Sequence, residues 1–220
     1  MQAMKFMVDA FISPGAPACW VVLFLSFMLI ITIPVVAFTT KDVRIHLATQ
    51  FSSLLPLVIG LLGTLYSLDV AHSALQQVPE AFQAQAGATG RSVSMSTIFF
   101  STFPTIILWI IALFSILLSR KVFRSKVQVE VKNRYYEFWL FLIAIVGIPI
   151  LVALSIWIFG KIVCFDAMAN VPAPQRAQAT ESGIAIMNTA SLIWLFSLVS
   201  IPVLYLGAAK KRVEPVLKVQ

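Results

Sequence analysis

The chain has 220 residues, of which 60% are hydrophobic and only 11% are charged, and its formal net charge is +7. A water-soluble domain of this size has too little interior to hide so much apolar surface, so the composition excludes that class. The positive charge lies in short clusters beside apolar runs, which is typical of membrane topology signals and argues against nucleic-acid binding.

The first residues, 1–13, carry a short amphipathic pattern. Pro14, Gly15 and Pro17 follow and end it. A helix over this stretch would present its apolar side chains on one face, which predicts a short interfacial helix. That face comprises Met4, Met7, Val8, Phe11 and Ile12.

Five apolar segments follow, each near the length of about 20 residues that an α-helix needs to cross the hydrocarbon core. A cleaved signal peptide is the alternative for the first segment, but the apolar run is too long and no small-residue cleavage site follows it. The sequence therefore predicts an all-α integral membrane protein with about five transmembrane helices in a single membrane domain. The predicted spans are 18–38, 51–68, 95–119, 138–160 and 183–208.

Lysine and arginine are distributed unevenly between the two sides of these spans. Twelve of the 16 lie after the first span, after the third span and in the tail, which five spans place on a common side. Cytoplasmic segments carry the excess of positive charge. We therefore expect an external amino terminus, a cytoplasmic carboxyl terminus and a location in a bacterial inner membrane.

Hydroxyl side chains recur along one face of the third span. Ser94, Thr97, Ser101 and Thr105 follow one another at spacings of three, four and four residues, and Thr102 is adjacent. We call the first four residues the hydroxyl stripe. Lipid-facing helix surfaces have little use for hydroxyls, so the stripe is expected to point toward protein or water.

The second span has a comparable face, on which Ser53, Gly60, Thr64 and Ser67 recur at helical spacing beside Gly63. One interpretation is helix packing, in which small residues permit close approach and hydroxyls bond to carbonyls one turn back. In the other interpretation the two faces line a hydrated path for an ion. The ion-path candidates are then Thr64, Ser101, Thr102, Thr97 and Thr105, and the packing positions are Gly60 and Gly63.

Acidic and basic residues are absent from the middle of every predicted span. A proton carrier normally needs a titratable group within the membrane, so either the chain carries no protons or a partner supplies the carboxylate. The sequence also lacks zinc-type spacing, a P-loop, a dinucleotide-binding glycine motif and a nucleophile motif. We expect no enzymatic activity, no cofactor and no metal site.

Two stretches resemble the MotA/TolQ/ExbB family of proton-channel subunits. Residues 11–26 (FISPGAPACWVVLFLS) contain the Gly/Pro break, the tryptophan and the apolar span with which family members often begin. A variable outer loop and a third span come later in the family's order, with Ser101 and Thr102 as counterparts of its threonine-rich segment. Residues 55–71 (LPLVIGLLGTLYSLDVA) resemble the family's GLLGT span, with matches at Pro56, Gly60, Leu61, Leu62, Gly63 and Thr64.

The resemblance implies a helical bundle that assembles as a ring of like subunits around a single-span partner. An intramembrane aspartate of that partner would carry the proton, and Thr64, Ser101 and Thr102 would face it. The expected function is a membrane subunit of an oligomeric ion-channel motor complex. The alternative is a non-conducting structural subunit of a secretion or conjugation assembly. A membrane enzyme or transporter is the weakest option.

Two cysteines, Cys19 and Cys164, fall at the outer ends of the first and fourth spans. An oxidising outer compartment permits a disulfide there. Packing of each thiol as a small apolar group is the other option.

Overall fold

The computed structural model describes residues 2–40, 43–124 and 131–217, with side chains described at 3–40, 45–119, 142–143 and 145–200. Within these ranges the chain is helical and contains no strand. A short 3-10 turn at Ala173–Gln175 precedes the last helix. The α-helices are α1 Gln2–Ile12, α2 Ala16–Thr39, α3 Val43–Ser52, α4 Leu55–Leu75, α5 Glu80–Arg124, α6 Val131–Asn170 and α7 Arg176–Leu217.

Five helical segments of the described residues are long and apolar enough to cross a membrane. The prediction of an all-α protein with about five membrane-spanning helices is confirmed at this level, and the chain is a multi-pass membrane protein. The segments are Ala16–Thr39, Ile45–Leu75, Glu80–Ser119, Ile145–Asn170 and Ala173–Ser200.

The helices extend well beyond the apolar spans that the sequence marks. Helix α5 begins at Glu80 and so includes most of the segment expected to be an outer loop. Alanine and glutamine dominate that segment, and both are good helix formers. A polar helical extension therefore continues the third span without a break.

The second span is divided into two helices by a proline. Helix α3 ends at Ser52, and α4 begins at Leu55 with Pro56 in its first turn. Proline has no N–H to donate to the carbonyl four residues earlier, which here belongs to Ser52, but it is well suited to the start of a helix. The chain therefore breaks its helix at Ser53 and Leu54.

Helix α5 is the centre of the bundle. It packs against α1, α2, α3, α4 and α6, whereas α7 packs against α6. One apolar core cluster joins α1, α5 and α6 through Phe6, Phe99, Ile158 and Ile162. Since α5 contacts five other helices, side chains on most of its faces are buried.

The first helix packs on this bundle with one face and leaves most of the predicted apolar face exposed. Phe6 and Ala10 are buried, whereas Met4, Val8 and Ile12 of the predicted apolar face are exposed. Lys5 forms an ion pair with Asp166 of α6 at 3.1 Å. Because exposed ion pairs contribute little stability, the buried Phe6 ring is the main anchor.

Large apolar side chains cover the outside of the bundle. Helix α7 exposes Phe196 at 73%, and α2 exposes Trp20 and Phe24. On α4, Leu62 and Leu65 are similarly exposed. Such a surface is stable only when lipid or other apolar protein covers it.

Candidate functional site

The hydroxyl stripe lies entirely inside the bundle. Ser94, Thr97, Ser101 and Thr105 are each between 0% and 1% exposed. The stripe faces different helices at different heights because α5 is surrounded by them. Eleven residues separate its ends, which corresponds to about 16 Å along the helix axis.

Among the side chains that the structure describes, three hydroxyl–hydroxyl hydrogen bonds connect α5 with its neighbours. Ser67 of α4 donates to the Ser94 hydroxyl at 2.9 Å. The Thr97 hydroxyl lies 3.2 Å from that of Ser13, in the turn between α1 and α2. Thr102, beside the stripe, lies 2.8 Å from the Ser155 hydroxyl of α6. In the last two pairs either oxygen can donate.

Ser101 lies against Gly60 at the contact between α4 and α5, and Thr64 lies one helical turn further along α4. The hydroxyls of Thr64 and Ser101 both donate to their own helices. Thr64 donates to the Gly60 carbonyl at 2.9 Å, and Ser101 donates to the Ile98 carbonyl at 2.7 Å. A Cβ atom at Gly60 would collide with the Ser101 side chain. Gly60 therefore sets the distance between the two helices and brings Thr64 within one helical turn of the Ser101 level.

The other two ion-path candidates follow the same pattern. Thr105 donates to the Ser101 carbonyl at 2.8 Å, and Thr102 donates to the Phe99 carbonyl at 2.7 Å. A hydroxyl has one proton to donate and two lone pairs to accept with. These oxygens therefore retain the capacity to accept a hydrogen bond from a water molecule or a neighbouring hydroxyl.

Gly63 is the second closely packed glycine of α4, and it faces the start of α2 and the turn that precedes it. Its missing Cβ would collide with Ala18, and it would lie 3.1 Å from the Thr97 methyl group. Gly15 is packed just as closely, because a Cβ there would lie 2.5 Å from the Thr97 hydroxyl oxygen. Both predicted packing glycines, Gly60 and Gly63, thus make their close contacts within one chain.

The structure adds one polar group that the sequence interpretation missed, in a segment treated as a loop. Gln50 of α3 is 0% exposed, and its Nε2 donates to the Trp109 carbonyl of α5 at 3.3 Å. Its Oε1 has no hydrogen-bond partner in the described part of the chain. Trp109 lies one helical turn beyond Thr105, so Gln50 continues the polar interior of the bundle.

His46 lies on the same face of α3 as Gln50, one turn earlier, and is 4% exposed. Thr49 and Ser53 are also buried. The spacing of these four polar residues matches one side of a helix, and that spacing was the available signal for a buried polar face.

The two cysteines are free thiols with separate environments. The Cys19 thiol lies 3.5 Å from the Ala10 carbonyl, and the Cys164 thiol lies 3.7 Å from the Thr180 carbonyl. The disulfide considered from their predicted depth is therefore not formed in this structure. Among the described residues, no three His, Cys, Asp or Glu side chains form a group that could hold a metal ion.

Comparisons with protein families, with curated proteins and with solved structures find no match for this chain. The MotA/TolQ/ExbB resemblance therefore stays a prediction from two sequence stretches.

Proposed function

We propose that this chain is a membrane subunit of an oligomeric proton- or ion-channel motor complex. In this proposal the hydroxyl stripe lines the ion path, and a single-span partner supplies the carboxylate. The observation that carries the proposal is the buried polar interior that runs along α5 from Ser94 to the Gln50–Trp109 contact. This distance is about 22 Å, most of the roughly 30 Å hydrocarbon core.

The need for a partner follows from the positions of the charged residues. The carboxylates of Asp9, Asp69, Glu80, Asp166 and Glu181 all belong to the ends of the described helical segments or to their first or last few turns. A proton that crosses the membrane needs a group to bind it in the interior, and hydroxyls titrate far outside the physiological range. The chain can therefore solvate a proton along its stripe, while the titratable group belongs to another chain.

The hydroxyls of the site support a conducting role because their oxygens are close together in the interior of the bundle. The Ser13–Thr97 and Thr102–Ser155 oxygens lie 3.2 and 2.8 Å apart. Each hydroxyl oxygen has two lone pairs with which it can solvate a proton or accept a hydrogen bond from water. The unpartnered Oε1 of Gln50 adds an acceptor at the end of the line opposite Ser94.

A second function, a non-conducting structural subunit, is favoured by the tight packing at the same residues. There is no space for even a methyl group between Gly60 and Ser101. Hydroxyls that donate to a carbonyl one turn back are also the usual state of serine and threonine in membrane helices. In this case the stripe specifies how α5 packs with α4 and α6, and no ion passes.

Gly60 and Gly63 already pack against other helices of the same chain, so they are not free to join two copies. A homo-oligomer therefore needs a different surface. We propose that like subunits associate through the exposed apolar face of α4, which includes Leu61, Leu62 and Leu65. Thr64 lies on the opposite, buried side of α4, so docking there leaves the hydroxyl stripe inside each subunit. No charge has to be buried in such a contact.

The amino terminus is proposed to be external and the carboxyl terminus cytoplasmic, in a bacterial inner membrane. The support is the concentration of 12 of the 16 Lys and Arg residues in segments that five spans place on one side. Topology reporters fused after Gln220 and inserted within 76–91 are expected to report opposite sides. If the reporter after Gln220 and the reporter within 76–91 both report the same side, the five-span topology is contradicted.

Purification of the tagged chain in a mild detergent tests the proposed function. We expect several copies of the chain to co-purify with a single-span protein that carries an intramembrane aspartate. Liposomes containing the whole complex should dissipate an imposed proton or sodium gradient, whereas liposomes containing this chain alone should not. A complex that lacks such a partner and is impermeable to both ions would support the structural function instead.

A further inference from the structure

A cavity of about 540 Å³ opens at one end of the bundle, one helical turn before Ser94 of the hydroxyl stripe. It lies where α4 ends, α5 begins and α6 ends, and we call it the corner cavity. Helix α4 contributes His72, Leu75 and Gln76, and α5 contributes Gln83 and Arg91. The remaining lining residues are Ala84, Gly87, Ala88, Phe165 and Met168.

The polar lining of the corner cavity is suited to an anion. It contains the guanidinium of Arg91, the imidazole of His72 and two carboxamides, and no carboxylate. Among the described residues, the ion pair that forms joins Lys5 to Asp166 and leaves Arg91 without a carboxylate partner. An arginine in this situation is a strong site for a phosphate or carboxylate, to which it can donate two parallel hydrogen bonds.

Arg91 is also held in place by the wall of the cavity. Its guanidinium lies over the Phe165 ring, 5.8 Å from the ring centroid. Stacking on an aromatic ring restricts the side chain and reduces the entropy that is lost when an anion binds. Nearby, Gln85 donates from Nε2 to the Ala169 carbonyl at 2.8 Å, which fastens the start of α5 to the end of α6.

The rest of the corner cavity is apolar and open. Leu75, Phe165 and Met168 form an apolar wall beside Arg91. A Cβ atom at Gly87 would meet Leu75 methyl groups at 3.5 and 3.8 Å, which is ordinary van der Waals contact, so a side chain can extend from this position into the cavity. The cavity thus combines one cationic end with a surface for a hydrocarbon chain.

We propose that the corner cavity binds a small amphipathic anion. Its phosphate or carboxylate group pairs with Arg91, and its hydrocarbon part lies along Leu75, Phe165 and Met168. Two sources offer this chemistry: an anionic phospholipid of the adjacent leaflet and a soluble amphiphile from the aqueous phase. The site adjoins the Ser94 end of the hydroxyl stripe but contains none of its residues, and it does not depend on whether the chain conducts ions.

Two probes separate the sources. Octyl phosphate, titrated onto the detergent-purified protein by calorimetry, represents the soluble amphiphile. Phosphatidylglycerol compared with phosphatidylcholine, measured by native mass spectrometry, represents the leaflet lipid. Binding of octyl phosphate alone identifies the aqueous source. Retention of phosphatidylglycerol over phosphatidylcholine identifies the lipid source, and both results together show access from either side.

Two substitutions test whether binding occurs in the corner cavity. Arg91→Gln removes the charge, and Gly87→Leu extends a side chain into the cavity. Each is expected to weaken binding by at least about tenfold, because a charge-assisted pair or the hydrocarbon contact is lost. Arg176→Gln is the matched control, since Arg176 is an exposed arginine at the same end of the bundle and does not line the cavity.

The unfolding temperature of each variant should equal that of the unmodified protein, which separates loss of binding from loss of fold. Absence of binding by both probes overturns the proposal. Binding that survives Arg91→Gln or Gly87→Leu overturns it as well.

Discussion

Gly60→Leu is expected to destabilise the folded chain itself and not merely its association with other copies. Even the first carbon of the new side chain would collide with Ser101, so α4 would have to move away from α5. Overpacking of a close contact typically costs about 1–3 kcal/mol and occasionally more. We expect a value at or above the upper end of this range, because a leucine adds four carbons where no space exists. Thermal unfolding and size-exclusion profiles in detergent measure the effect.

Gly87→Leu is the matched control for this prediction. The substitution is chemically identical and lies in a neighbouring helix, but a Cβ at Gly87 makes only ordinary contact with Leu75, at 3.5 and 3.8 Å. Replacement of glycine within a helix also gains up to about 1 kcal/mol of helix propensity. Gly87→Leu should therefore be neutral or slightly stabilising. Equal unfolding temperatures for the two variants would contradict the close α4–α5 contact.

An exchange of small residues across the contact sharpens the test. Gly60→Ala alone should destabilise the protein, because its Cβ collides with the Ser101 side chain. In the double variant Gly60→Ala/Ser101→Gly the colliding atoms are gone, and the next atom, the Ile98 Cα, lies at an ordinary 3.5 Å. If Ser101→Gly offsets the loss of stability caused by Gly60→Ala, the two residues are in direct contact, either within one chain or between copies. If the effect on the unfolding temperature persists at high dilution, where copies dissociate, the contact lies within one chain.

The number of spans can be predicted because it depends on the length and composition of apolar segments, which can be counted directly along the sequence. The buried face of each span is harder to predict. Helix α2 exposes Phe24 and Phe27, yet it buries Ser26 and Cys19. Lipid is as apolar as a protein core, so apolar residues give no preference for either side of a membrane helix.

Hydroxyl and small side chains carry the directional signal that hydropathy lacks. The hydroxyl stripe, recognised from spacing alone, lies on a fully buried face of α5, and Gly60 lies at the contact with α4. The function of that face does not follow from its burial. A line of buried hydroxyls is equally a consequence of packing and a requirement for conduction.

Helices α1 and α3 show which contacts a local pattern does not predict. Gln50 follows the charged residues Lys41 and Arg44, which made its segment resemble a cytoplasmic loop. Its burial depends on the Trp109 carbonyl, which lies 59 residues away in the sequence. Phe6 is likewise buried by Phe99 and Ile158 and not by its own helix. Local periodicity can mark a buried face, as the polar spacing of α3 does, but it does not identify the partner that covers the face.

The double variant Thr64→Val/Ser101→Ala is expected to abolish ion flux while leaving the assembled complex intact. Ser101 is the middle of the hydroxyl stripe, and Thr64 is the α4 hydroxyl nearest to its level. Removal of both leaves Thr102 as the α5 hydroxyl between Thr97 and Thr105, and that hydroxyl pairs with Ser155 of α6. An ion or a water molecule at the α4–α5 contact then loses two side-chain oxygens. Loss of polar contacts in an apolar environment costs roughly 2–7 kcal/mol. Since about 1.4 kcal/mol corresponds to a factor of ten in rate, flux should fall at least tenfold.

The fold should tolerate the double variant. Valine has nearly the shape of threonine, and alanine is smaller than serine, so no new collision arises at Gly60. Each lost hydroxyl had donated to a carbonyl of its own helix, at 2.9 Å for Thr64 and 2.7 Å for Ser101. Such hydrogen bonds contribute about 0.5–1.5 kcal/mol each to stability. Expression, subunit composition and the size-exclusion profile should therefore match those of the unmodified complex.

Thr32→Val/Ser191→Ala is the control for removal of hydroxyls as such. Thr32 and Ser191 are exposed and also donate to carbonyls one turn back, at 2.7 and 3.0 Å, but they lie outside the stripe. This variant should conduct normally. If instead the Thr64→Val/Ser101→Ala complex assembles and conducts as well as the control, these hydroxyls serve packing alone. In that case the structural function, with the stripe fixing the position of α5 against α4 and α6, replaces the ion path.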